Sequence, residues 1–314
     1  MGKEKAMTES FFSDEEGDAL AGGEWTRGFL PPAEGRRYET ELRDLARTML
    51  KGTDAKLFSL IATYPLISRA CVRDAAGEAA EGALDGLFRD GVLARFCEID
   101  RNGDGEGRLT RSVYHVSKAA EGLCPRGFSG FSHAPSVIDQ MTGARRAELS
   151  AVSEYAARAC HGAGGGRLLS LAPPGRDRPW TEALIQKRTA PSAFGRGARC
   201  LFHVVKRPLE RDRLPAFLET LHFLNERTLA EEREAGPFPV RSRAVILCDS
   251  DDDMERFAAY LNKFLGSRHL ETESAERFLY ALEGDARDRA GAFKFFSRIT
   301  FEEGTIKKSQ VAYR

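Results

Sequence analysis

The sequence predicts a chain of mixed α and β class. An N-terminal winged helix-turn-helix is followed by a small α/β domain, and three observations carry that expectation. Across residues 57–120 the apolar spacing fits a helix, a turn, two further helices, a two-stranded ribbon and a closing helix. Further on, Leu214, Phe217, Leu218, Leu221 and Leu224 share one helical face, and the wholly apolar stretch 244–248 follows as a short buried strand would. Finally, 314 residues that are 42% hydrophobic and 30% charged suffice for two domains with cores of their own.

The elements follow in order. Residues 1–37 are acidic and Gly-rich, without sustained periodicity, and are expected to be mostly disordered. Leu42, Leu45, Ala46 and Met49 predict a leading helix that Gly52 ends. Leu57, Phe58, Leu60 and Ile61 form the apolar face of the next helix, broken at Tyr64-Pro65. Ser68 is placed to cap a short helix, and Gly77 makes the turn into the recognition helix of residues 78–90. Residues 92–99 and 108–116 alternate as the two strands of the wing.

Residues 123–139 are irregular and are expected to link the winged-helix domain (38–122) to the α/β domain (140–306). Within the latter, residues 147–159 predict a helix and 167–172, 183–188 and 200–206 predict strands. The amphipathic stretch 211–228 and residues after Asp252 predict two more helices. Residues 275–282 are expected to form a short helix, 292–306 a last strand or docking segment, and 307–314 a basic tail.

Composition narrows the function classes. Lysine plus arginine and aspartate plus glutamate both number 47, so any field that attracts nucleic acid must be local. The six cysteines are dispersed, which suits buried free thiols in a reducing, cytoplasmic setting. No apolar run is long enough to span a membrane, so no membrane partner is expected. Abundant alanine, glycine and arginine fit a bacterial, GC-rich coding sequence.

Several constellations bear on chemistry. Asp100, Asn102, Asp104 and Gly105 imitate a calcium loop, but its twelfth position is Arg111 rather than glutamate, and a hairpin tip is the stronger reading. The recognition helix is acidic: Glu78, Glu81, Asp85 and Asp90 face Arg89 alone. Phosphate contacts are therefore expected from Arg69 and Arg73 on the preceding helix, from Arg89, and from Arg101, Arg108 and Arg111 on the wing. Between residues 145 and 213 cations cluster, with Trp180 and Phe194 interleaved, and Arg145, Arg146 and Arg188 are candidate DNA contacts. Asp249 and Asp251 have the D-x-D spacing of metal-dependent phosphoryl chemistry; acids capping a helix N-terminus are the favoured reading. No phosphate-binding glycine loop, nucleophile elbow or zinc pattern is present, and neither a cofactor nor a metal is expected.

Two segments together resemble the replication-relaxation family of bacterial plasmids and integrative elements. The first is PLISRACVRDAAG…ALDGLFRDGVLARF…SVYHVSKAAEGL, which is similar to that family's winged helix. The second is LFHVVKRPLERDRLPAFLETLHFL followed by AVILCDSDDDMERFAAYL, which is similar to its C-terminal half, a degenerate nuclease-like α/β core. Where that family tends toward an acidic E-V-D-R strand, Val204, Val205, Lys206 and Arg207 stand here. The resemblance implies a DNA-associated role in replication, mobilisation or transcriptional control of a mobile element, without nuclease catalysis. The leading expectation is thus a non-enzymatic protein that binds double-stranded DNA. The alternatives are an interaction module whose acidic face takes a basic protein partner or a second copy as a homodimer, and a metal-dependent nuclease or phosphotransferase built on Asp249 and Asp251.

Overall fold

The computed structural model describes residues 23–27, 51–101, 107–123, 135–161, 165–173, 180–188, 198–208, 211–234, 240–267, 277–283, 296–302 and 305–311. The expected leading helix at 38–50 and the tip of the ribbon lie outside the described residues. The chain is of mixed α and β class, with a four-stranded and a seven-stranded sheet.

Helix α1 (Thr53–Thr63) buries Leu57, Phe58, Leu60 and Ile61, the four residues its spacing selected. It stops at Tyr64-Pro65, and Leu66 then adopts a left-handed backbone, φ 61°. That conformation is costly for a branched side chain. It is held from both sides: the Leu66 N–H donates to the Tyr114 carbonyl at 2.8 Å, and its own carbonyl accepts from Ser150 Oγ at 2.7 Å. The chain next forms the two-residue strand β2 (Ile67–Ser68). Ser68 Oγ accepts the Cys71 N–H at 3.3 Å and caps α2 (Arg69–Ala76). Gly77, at φ 88°, turns the backbone into α3 (Glu78–Arg89), whose buried face is Ala80, Leu84 and Leu87.

The ribbon is β3 (Leu93–Arg101) and β4 (Gly107–Val116), antiparallel from Leu93↔Val116 to Arg101↔Gly107, with an irregularity between Glu98 and Ile99. Strand β2 pairs with β4, and β1 (Gly23–Arg27) pairs with the far edge of β3. Strand β1 falls inside the stretch expected to be mostly disordered. Its ladder partner is the distant β3, which local composition does not register. A short 3-10 turn (Lys118–Leu123) stands where a closing helix was expected.

Residues 135–139, assigned to a linker, form helix α4 (Pro135–Asp139), and α5 (Gly143–His161) follows. The large sheet has the order β11-β10-β9-β8-β7-β6-β5. Strands β5 (Arg167–Ala172), β6 (Glu182–Arg188) and β7 (Arg199–Lys206) form an antiparallel meander. Helix α6 (Leu214–Glu234) then crosses to β8 (Val240–Cys248), parallel to β7, and α7 (Asp251–Ser267) crosses to β9 (Phe278–Leu282), parallel to β8. Residues 275–282 were expected to be helical. Between β8 and β10 the run Phe278-Leu279-Tyr280 is buried on both faces, and such a short apolar run has no period that separates helix from strand. Strands β10 (Phe296–Glu302) and β11 (Thr305–Val311) close the sheet as a hairpin, so the expected basic tail is largely a strand.

Side-chain alternation divides the sheet into two faces. Val205, Ala244, Ile246, Phe278 and Tyr280 pack against α6 and α7. Phe202, Val204, Val245, Leu247 and Leu279 pack against α5. Helix α5 is sandwiched, since on its other side Tyr155, Ala156 and their neighbours join the core of α1, α2 and α3. Every residue from Glu148 to Ala159 is buried, and alanine and serine allow the close approach of both layers. The two halves thus share one continuous core.

Candidate nucleic-acid interface and buried charge network

The α2–α3 surface is built by the Gly77 turn, which sets two charged helices side by side. Arg69 pairs with Asp85 at 2.5 Å and Arg73 with Glu81 at 4.0 Å. These pairs are well exposed, so each is worth at most about 1 kcal/mol. Their main effect is electrostatic: the two arginines expected to hold phosphates cancel acids on α3 instead. Arg89 is exposed and its Nε donates to the Asp85 carbonyl at 3.1 Å. Glu78, Ala79, Gly82, Asp85 and Arg89 are exposed along α3, and a Cβ added at Gly82 or Gly86 would meet no atom within 4 Å.

The wing arginines separate. Arg101 and Arg108 lie at the tip end of β3 and β4, and their side chains are outside the described residues. Arg111 does not reach solvent as a phosphate contact would. Its side chain is 14% exposed and turns onto α5, where it pairs with Glu154, donates to Ser150 Oγ at 3.1 Å and lies 3.6 Å from Glu283. Assigning it to DNA is therefore corrected. A cation in an exposed ribbon is expected to be solvated, but this ribbon has one face against a helix that carries a buried carboxylate.

Glu154 is the centre of that junction. Beyond Arg111 it accepts the Ser68 N–H at 2.8 Å and Arg158 Nη1 at 3.1 Å, and Arg158 Nε reaches Asp74 on α2 at 2.9 Å. The network continues through Glu283 to Lys206 at 3.5 Å and from Lys206 to Asp249. Burial disfavours the charged form of Lys206, but Asp249 and Glu283 outweigh it and raise its pKa. Alternating charges thus run from α2, through α5, to the carboxyl ends of β7, β8 and β9.

Part of the basic stretch is consumed in the same way. Lys206 and Arg207 are buried, Arg213 holds Glu148 at 2.5 Å, and Arg158 belongs to the junction. Arg145 is half-buried at the start of α5. Arg146 lies over the Phe96 ring at 4.4 Å, and burial lowers its pKa. Arg188 is exposed at the end of β6. Asp249 and Asp251 are not brought together on one cation: Asp249 holds Lys206, whereas Asp251 holds Lys308 of β11. The cap of α7 is Ser250, whose Oγ accepts the Asp253 N–H at 3.1 Å, with Asp251, Asp252 and Asp253 in the first turn. Among the described residues no group of three or more histidine, cysteine, aspartate or glutamate side chains is arranged to hold a metal ion.

Sequence reasoning missed His203. It is fully buried in β7 between two carboxylates, with Nδ1 2.9 Å from Glu182 and Nε2 3.0 Å from Glu231. An imidazolium donates to both. Burial opposes its charge, but its hydrogen bonds to Glu182 and Glu231 outweigh burial and raise the pKa. A group raised in the folded state contributes stability that is complete below its unfolded value of about 6.5 and is lost as pH rises through the folded value. Wild type is therefore expected to lose stability as pH rises above about 6.5, while His203→Asn is less stable at pH 6 and flatter above it. Urea midpoints at pH 6 and pH 9 check this, and parallel profiles for the two proteins would count against it.

No family model, curated protein or solved structure matches this chain. No helix among the described residues is long and apolar enough to cross a membrane.

Proposed function

We propose that this chain is a non-enzymatic protein that binds double-stranded DNA through a winged helix-turn-helix fixed rigidly to a degenerate nuclease-like core. One observation supports the reading. The order α1, β2, α2, α3, β3, β4, with β2 paired to β4, is compatible with a winged helix, and it leaves the second helix of the α2–α3 unit with an exposed outer face. The meander β5-β6-β7, the α6 crossover and the parallel β8 after α5 support the nuclease-like part of the reading, and Val204 and Lys206 stand where such chemistry would need acids. The resemblance to the replication-relaxation family supports a role in a mobile genetic element.

The arginine pairs on Asp85 and Glu81 reduce the repulsion that an acidic recognition helix would meet. Glycines at 82 and 86 leave its outer face low enough for close approach. Affinity then depends on cations outside α2, so binding falls steeply with salt. The test is fluorescence anisotropy with duplex DNA at low salt. Wild type should bind. Gly82→Glu/Gly86→Glu adds charge where there is open space and removes two helix-interior glycines, so it should fold at least as well and bind about tenfold or more weakly. A wild type that binds no duplex would sink the reading.

Glu78 and Asp85 on the exposed face favour a second reading, a winged helix that takes a basic protein partner. A complex that survives nuclease treatment and is lost in Glu78→Arg/Asp85→Arg would support it.

A further inference from the structure

We propose that the amino-terminal ends of the parallel strands form a second phosphate-binding surface, an arginine row that takes the backbone of duplex DNA; this rests on the DNA-binding reading above. The row is assembled from separate parts of the sequence. Arg167 opens β5, Lys187 and Arg188 end β6, Arg199 opens β7, and Arg241 lies at the start of β8. The register puts them at one end of the sheet: Arg167 is opposite Gln186 and Arg188 opposite Arg199 on one face, while Lys187, Cys200 and Arg241 lie in one line on the other, so the row runs along the rim of the sheet and draws on both faces. Arg167, Arg188, Arg199 and Arg241 are exposed, and none of the four forms an ion pair among the described residues.

Two features set this row apart from an ordinary solvated face. Arg188 and Arg199 are direct cross-strand neighbours, and like charges in that position destabilise a sheet unless an anion joins them. The opposite end of the same strands behaves in the contrary way, because there Lys206 and Arg207 are neutralised by Asp249, Asp253 and Glu283. At the arginine end, Glu232 is taken up by Arg243 and Arg277, at 2.5 and 2.8 Å, and by the Ser242 N–H at 2.8 Å. From β5 to β8 the row spans three strand spacings, about 14 Å. That length is enough to meet consecutive phosphates of one DNA strand. The row presents no exposed aromatic ring among its described residues, as a single-strand platform would require. The contact is therefore with phosphates, not with stacked bases.

The test substitutes Arg167, Arg188, Arg199 and Arg241 by glutamine and measures duplex affinity over a salt series, with the four-lysine variant as a charge-retaining control. Thermal melts of the glutamine variant should be at or above wild type, because the Arg188–Arg199 repulsion is removed. The glutamine variant should lose at least tenfold in affinity, and its plot of log affinity against log salt should be shallower by about 3 to 4, four contacts at about 0.9 each. The lysine variant should keep the wild-type slope. An unchanged slope in a wild type that binds duplex overturns the row and leaves the winged-helix reading standing. Loss confined to single-stranded RNA, with duplex binding intact, also overturns it. Loss in the glutamine variant with no effect of Gly82→Glu/Gly86→Glu supports the row and overturns the α3 contact. No duplex binding by wild type overturns both.

Discussion

Glu154→Ala is expected to lower stability by about 3–5 kcal/mol at neutral pH, because it leaves buried guanidinium groups without their central partner. Glu154 is 3% exposed and touches three elements at once: Arg111 of β4, the Ser68 N–H ahead of α2, and Arg158 one turn along α5. Burial alone would raise its pKa; Arg111, Arg158 and the Ser68 N–H outweigh burial and bring it to about 2. The sign follows directly. A carboxyl held below its unfolded value contributes stability that is complete above about pH 4.5 and is lost as pH falls toward about 2. The difference amounts to on the order of 3 kcal/mol. Urea unfolding of wild type, Glu154→Ala and Glu154→Gln at pH 7 and pH 3 checks the account. The wild type should lose most of its advantage over Glu154→Gln at pH 3. An alanine variant within about 1 kcal/mol of wild type at pH 7 would mean that the junction is held by apolar packing alone.

That junction also explains what was and was not legible in the sequence. Elements whose signal is local were visible: the α1 face, the Ser68 cap, the amphipathic α6 and the apolar β8 each follow from propensity or period within one segment. Strands β1 and β9 were not, since each owes its conformation to partners far along the chain. The charges were hardest. Nothing local distinguishes Arg111 from Arg188, yet one is buried on a carboxylate 43 residues away and the other is exposed. A signal for the buried helix was present: from Glu148 to Ala159 the helix carries small residues on every side, the pattern of an element packed between two layers. Polar groups within such a helix need partners from both layers, and Glu154 takes them.

The shared core bears on mechanism as well. Helix α5 contributes to both the packing of α1, α2 and α3 and the sheet face, so α3 and the arginine end of the sheet share one core. A ligand that engages both must match their fixed separation, and linking the two contacts raises affinity without an ordering cost for a linker.

Arg207→Ala is expected to be as damaging as Glu154→Ala, about 3–5 kcal/mol, for a different reason. Arg207 is the largest fully buried side chain among the described residues. Its Nε donates to Asp253 at 2.9 Å, Nη1 to the Pro208 carbonyl at 3.2 Å and Nη2 to Asp249 at 3.5 Å. It ties the end of β7 to the first turn of α7, where Asp253 also accepts the Asp249 N–H at 3.3 Å. Without the guanidinium, Asp249 keeps Lys206 but the buried Asp253 loses its cation. The charge, more than the volume, should therefore set the cost. Arg207→Met fills much of the space and should still be strongly destabilised, whereas Arg207→Met/Asp253→Asn removes the stranded charge, keeps an acceptor for the Asp249 N–H and should recover at least half of the loss. A double-mutant cycle in guanidinium chloride measures this directly, with a coupling of about 2 kcal/mol or more expected between the two positions. Additive single effects would show instead that Arg207 acts by packing, and that the charge network at this end of the sheet is incidental to its stability.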